Sequence, residues 1–158
     1  MPAIPKKVRD RFARTIAKFQ KVLQIAKDRD LNETDTVSIV QDMLSEVFGY
    51  DKYLEVTSEF AIRSTYCDLA LKVEDKVEFL IEAKAVGMDL KPTHMRQTID
   101  YGANHGIQWV VLTNAVQWQI YRIRFEQPIN YDLVCCLDFA TLDPQDEKQQ
   151  ECIFILSK

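Results

Sequence analysis

Residues 66–84 read Tyr66-Cys67-Asp68-Leu69-Ala70-Leu71-Lys72-Val73-Glu74-Asp75-Lys76-Val77-Glu78-Phe79-Leu80-Ile81-Glu82-Ala83-Lys84. Two apolar runs flank a short charged turn, the pattern of a β-hairpin. The second run closes on Glu82 and Lys84, which are two residues apart and so share a strand face. Register follows from alternation, because directly opposed residues on antiparallel strands share a face. With Glu74-Asp75-Lys76 as a three-residue loop, Val73 opposes Val77, Leu71 opposes Phe79 and Leu69 opposes Ile81. On the other face Lys72 meets Glu78, Ala70 meets Leu80, Asp68 meets Glu82 and Tyr66 meets Lys84. One face is wholly apolar, and a one-residue slip would set Asp68 against Ile81 and mix the two.

Neighbouring carboxylates repel unless something positive lies between them. Lys84 is one candidate and a divalent cation is a better one. The competing reading is an Asp–Lys–Glu ion-pair cluster at the end of a sheet. Two hard oxygen ligands and a cation that orients water or steadies transition-state charge form the minimal kit for metal-dependent phosphodiester hydrolysis. The tripeptide alone is unspecific. Acidic-x-Lys also occurs at Glu74-Asp75-Lys76, Asp89-Leu90-Lys91 and Asp146-Glu147-Lys148, but only Glu82-Ala83-Lys84 ends an apolar strand.

Outward from the hairpin, residues 6–29 read as a helix, with Val8, Phe12, Ile16, Phe19, Leu23 and Ala26 at the helical period. A second helix capped by Thr34 or Asp35 places Val37, Val40, Met43, Leu44 and Val47 on its apolar side, with Gly49 as its stop. Glu46 lies beside that stripe. A strand over 54–62 precedes the hairpin strands at 66–73 and 77–84. A helix follows from Pro92 to Asn104, putting Gln97 and Tyr101 on one face. Strands at 109–112 and 116–125 come next, a further strand at 130–139 and a helix over 143–157. The order is that of a mixed α/β sandwich around a central sheet.

The 158 residues fit one domain, and 47% hydrophobic with 28% charged residues is ordinary for a globular chain. The absence of an apolar run of about 18 residues argues against a membrane span, and the absence of a signal-peptide core points to the cytoplasm. Cys67, Cys135, Cys136 and Cys152 lack zinc-ligand spacing and read as buried reduced thiols. Net charge is −4, but residues 1–30 hold nine Lys/Arg against three Asp, a net +6 that leaves −10 for the rest. A basic N-terminal helix could meet phosphates while an acidic body holds metal ions. The other reading of those charges is a solvated helix face.

Across roughly residues 35–125 the chain resembles the PD-(D/E)xK nuclease superfamily. Within it, the chain is similar to the N-terminal nuclease domain of type I restriction enzyme R subunits. The residues that carry the resemblance are Asp68 in Tyr66-Cys67-Asp68-Leu69, Glu82-Ala83-Lys84, and Gln97-Thr98-Ile99-Asp100-Tyr101, which looks like a Gln-x-x-x-Tyr helix motif. Cys67 stands where the superfamily name has Pro. The resemblance implies a restriction-endonuclease-like α/β/α core with a central mixed sheet, preceded by N-terminal helices. It implies a Mg²⁺-dependent (or Mn²⁺-dependent) DNA endonuclease. Asp68, Glu82 and the Ala83 carbonyl would bind metal, with Glu46 as a further candidate ligand. Lys84 would orient the attacking water, and Gln97 and Tyr101 would face the site or simply pack the helix on the sheet.

Lys6, Lys7, Arg11 and Arg14 are the candidate DNA contacts. Expected partners are DNA, motor or specificity subunits of a restriction complex, and a second copy in a homodimer. The chain ends at Lys158 without helicase motifs, as expected for a single domain or an excised fragment. The alternative function is a catalytically silent nucleic-acid-binding or scaffold domain of a restriction-modification or defence complex.

Overall fold

The hairpin read from alternation lies inside a six-stranded sheet. The computed structural model describes residues 3–62 and 65–158, and the side chains of residues 59–67 lie outside the described set. Helices α1 (Lys6–Asp28) and α2 (Glu33–Glu46) lead into strands β1 (Val56–Ile62), β2 (Thr65–Val73) and β3 (Lys76–Ala83). A 3₁₀ turn (Pro92–Met95) and α3 (Arg96–His105) cross over to β4 (Trp109–Thr113), followed by β5 (Gln117–Arg124), β6 (Asn130–Asp138) and α4 (Glu147–Leu156). Strand order is sequential from β1 to β6. Only the β3–β4 pair is parallel, as the intervening helix requires, so the sheet is mixed.

Both faces of the sheet are covered. Leu69, Leu71, Phe79, Ile81, Val111, Trp118 and Ile120 pack with α1, α2 and α4 in the larger core. Ala70, Leu80, Val110, Leu112, Tyr121 and Ile123 point the other way and pack with Met95 and Ile99 beneath α3. The helical periodicity of α1 holds: Phe12, Ile16, Phe19, Leu23 and Ala26 are buried. The cap of α2 is Asn32, whose Oδ1 accepts from the Asp35 N–H at 2.8 Å, rather than Thr34 or Asp35. Asparagine ranks among the strongest N-caps, and its position sets Glu33 in the first turn. Helix α4 starts later than Asp143, because that side chain closes a turn onto the Gln145 N–H and Asp146 caps the helix.

The hairpin reaches the expected register by an unexpected route. Glu74 and Asp75 both adopt positive φ (53° and 64°), and Val73 pairs with Lys76. The loop is therefore two residues long, with the left-handed backbone that matches strand twist. Lys72 then faces Val77, and a bulge opposite Leu71–Lys72 absorbs Glu78. Beyond it Leu71↔Phe79, Ala70↔Leu80 and Leu69↔Ile81 pair as the alternation demands. Burial of the apolar face sets the register, and the bulge reconciles it with the shorter turn. The expected Tyr66–Lys84 opposition, and the placing of the Phe60 and Ile62 side chains on the face of Val56 and Ser58, fall on side chains outside the described residues.

The expectation of reduced cysteines is corrected. Cys135 on β6 and Cys152 on α4 form a disulfide, with Cα atoms 5.8 Å apart. Their 17-residue separation carries no motif; the packing of α4 against β6 brings them together. Cys136 is free and exposed, and the Cys67 thiol lies outside the described side chains.

Helix α3 lies close to the sheet at Gly102. A β-carbon there would sit 2.8 Å from Ile123 Cδ1 and 2.9 Å from the Ile107 carbonyl oxygen. Gly102→Ala is therefore expected to destabilise the domain by about 1–3 kcal/mol, read as a lowered urea midpoint with an unchanged m-value. An unaltered midpoint would show that α3 can shift outward at no cost.

Candidate active site

β2 and β3 deliver two carboxylates to one end of the sheet. Leu69 opposes Ile81, and the next step in that register sets Asp68 alongside Glu82. Asp68 Oδ2 accepts a hydrogen bond from the Ala83 N–H at 2.8 Å. In a regular strand the N–H and C=O of one residue point to the same side, so the Ala83 carbonyl faces β2 as well. Glu82 Oε1 accepts from the Thr98 hydroxyl of α3 at 3.0 Å. The Lys84 N–H donates to the Thr113 carbonyl at 2.9 Å, extending β3 by one rung against β4. The Lys84 Nζ lies 3.6 Å from Glu33 Oε1 in the first turn of α2.

Asp68, Glu82, Lys84 and Glu33 thus form one charged cluster between the two helical layers. Burial raises the Asp68 pKa, the Ala83 N–H pulls it back, Glu33 adds to the rise and Lys84 opposes it. Glu82 is pushed up to about 7, first by burial and then by Asp68, against the Thr98 hydrogen bond and Lys84, with Glu33 adding to the rise. One lysine does not neutralise three carboxyl groups. On the Asp68 side a depression of about 270 Å³ opens between α2 and the sheet, with Glu33, Ser38, Gln41, Ser58 and Asp68 among its lining residues.

The structure brings Asp68, Glu82, Ala83 and Lys84 together and leaves Glu46 apart. Glu46 pairs with Lys18 at the far end of α2, about 20 Å from Glu33 at 1.5 Å per residue. Gln97 is exposed. Tyr101 is half-buried against the second core, its ring stacked on His105 at 4.0 Å between centroids. The α3 side chain bonded to the carboxylate pair is Thr98, adjacent in sequence to the expected Gln97.

Sequence reasoning missed Glu33 and Thr98. Asn32 was the available signal for Glu33, since a capping asparagine places the next residue in the first turn. Thr98 is the polar member of the buried stripe Met95, Thr98, Ile99 and Gly102, whose spacing is helical.

Of the basic residues, Lys6, Lys7, Arg11 and Arg14 border an open depression on α1. Arg11 turns inward: its Nε donates to the Val47 carbonyl at 3.0 Å, and its Nη2 is buried with no partner among the described residues.

Among the described residues, no three His, Cys, Asp or Glu side chains form a metal-binding group. Asp68 and Glu82 still fit a magnesium-type ion, which takes one or two carboxylates and keeps water in its remaining positions. Burial and then the Asp68 charge raise the Glu82 pKa, so a cation shared by the two carboxylates would relieve the pair.

The family model for the type I restriction enzyme R protein N terminus matches residues 38–132. The chain belongs to this family. The R-protein N-terminal match begins within α2 and ends in β6, so it contains Asp68, Glu82, Lys84 and Thr98 but excludes Glu33 and α1. No curated protein and no solved structure shows significant similarity to the chain. No helix among the described residues is long and apolar enough to cross a membrane.

The carboxylate pair sets a pH dependence with a defined sign. Glu82 holds its proton more tightly folded, near 7, than unfolded, near 4.5, so its contribution favours the fold at low pH and is lost as pH rises through that window. In metal-free buffer, Glu82→Gln is expected to be more stable than the wild type by on the order of 2 kcal/mol near pH 8. The gap should close toward about pH 4.5. Urea unfolding across the range measures it, and a pH-independent gap contradicts the assignment.

Proposed function

We propose that this R-protein N-terminal domain is a PD-(D/E)xK-type, metal-dependent deoxyribonuclease that hydrolyses DNA phosphodiester bonds. The observation that carries the reading is the half-buried placement of Asp68 and Glu82 side by side at the end of the β2–β3 hairpin, with Lys84 two residues beyond Glu82. Asp68, Glu82 and the Ala83 carbonyl would hold Mg²⁺ or Mn²⁺. When bound, the ion supplies Lewis-acid polarisation of the scissile phosphate. Glu33 holds the Lys84 ammonium beside the carboxylates. From there Lys84 orients the attacking water and balances charge that develops on the phosphoryl oxygens. Lys6, Lys7 and Arg14 contact the DNA backbone away from the cut. The restriction-complex setting of R proteins makes motor and specificity subunits the partners of choice.

One observation favours the alternative of a catalytically silent binding or scaffold domain. Lys84 forms its ion pair with Glu33, not with Asp68 or Glu82.

Nicking of supercoiled plasmid with Mg²⁺ or Mn²⁺ separates the two. Asp68→Ala and Lys84→Ala are each expected to lose about 100-fold or more in rate. Equal activity in all three proteins removes the catalytic assignment, and metal-independent binding without cleavage selects the scaffold.

DNA binding by α1 is tested through salt. Lys7→Ala and Arg14→Ala should each flatten the slope of log K against log salt by about 0.9 for every phosphate left without its cation. Arg11→Ala should instead lower the unfolding midpoint, because Arg11 ties α1 to the end of α2.

A further inference from the structure

Thr98 sits among apolar neighbours with 2% of its surface exposed. Threonine in a helix commonly turns its hydroxyl back to a carbonyl three or four residues earlier. The Thr98 hydroxyl instead crosses from α3 to β3 and meets Glu82 Oε1 at 3.0 Å. The reach of so short a side chain depends on Gly102, one turn later on the same face, which lets α3 approach the sheet. Among the described residues this is the hydrogen bond that the Glu82 carboxylate receives, and it engages one oxygen only.

We propose that Thr98 is a positioning residue for metal binding, its hydroxyl fixing the carboxylate orientation with which Glu82 meets the ion. The inference rests on the metal site proposed above and adds a residue outside the Gln97 and Tyr101 pair. A glutamate has three side-chain torsions, and ordering them at the moment of binding costs affinity. A hydroxyl anchored in the α3 core removes that freedom beforehand. The partners that orient metal ligands are commonly worth 10–100-fold in affinity.

The test is calorimetric titration of Mn²⁺ into the metal-free full chain, its Thr98→Val and Thr98→Ser variants, with plasmid nicking measured in parallel. Valine keeps the shape and removes the hydroxyl; it should weaken Mn²⁺ binding by about tenfold or more. Serine keeps the hydroxyl and should stay within about threefold of the wild type. The Mn²⁺ concentration for half-maximal nicking should rise with the dissociation constant in Thr98→Val. Wild-type affinity in Thr98→Val, or a Thr98→Ser protein as weak as the valine variant, overturns the role of Thr98 and leaves the metal site standing. A wild-type chain that binds no Mn²⁺ overturns the metal site itself, and this role with it.

Discussion

The burial of two carboxyl groups side by side governs the arrangement at the β2–β3 end of the sheet. Asp68 and Glu82 are held half-buried on adjacent strands, where burial disfavours ionisation of both and the Asp68 charge adds to the effect on Glu82. The surrounding groups answer that tension in turn. A backbone N–H from Ala83 serves Asp68, a hydroxyl from Thr98 serves Glu82, and Lys84 provides positive charge. Glu33 then offsets part of what Lys84 contributes. A residual conflict of this kind costs stability.

The three layers contribute unequally. The sheet supplies the carboxylates and the lysine, α2 supplies Glu33, and α3 supplies Thr98. The cluster lies where parallel β3 and β4 both end, at Ala83 and Thr113. That is the carboxyl edge where open α/β sheets bind their ligands. The opposite end of α2 meets the basic start of α1 through Arg11 and Val47. One helix therefore separates an acidic end from a basic end.

Legibility in the sequence followed the range of the interactions. Alternation along β2 and β3 was enough to place Asp68 beside Glu82, because each strand has one wholly apolar face and any slip would spoil it. The helix stripes of α1 and α2 were equally plain. Contacts between layers were not. Thr98 reaches Glu82 only because Gly102 lets α3 settle on the sheet, and Glu33 meets Lys84 only because α2 begins over that edge. Glu46 shows the same limit from the other side: it borders an apolar stripe as a site residue could, yet it pairs with Lys18 at the wrong end of the helix. The Cys135–Cys152 bond likewise depends on the docking of α4, which no cysteine spacing announces.

The bulge at Leu71–Lys72 has a mechanical consequence. It takes up the residue by which the two-residue turn and the buried ladder disagree. The tip of the hairpin is thereby uncoupled from the strand ends that carry Asp68 and Glu82. The slack stored there lets the Glu74-Asp75 turn vary in length by a residue while the carboxylates keep their places, an expansion joint set between a tolerant loop and an intolerant site.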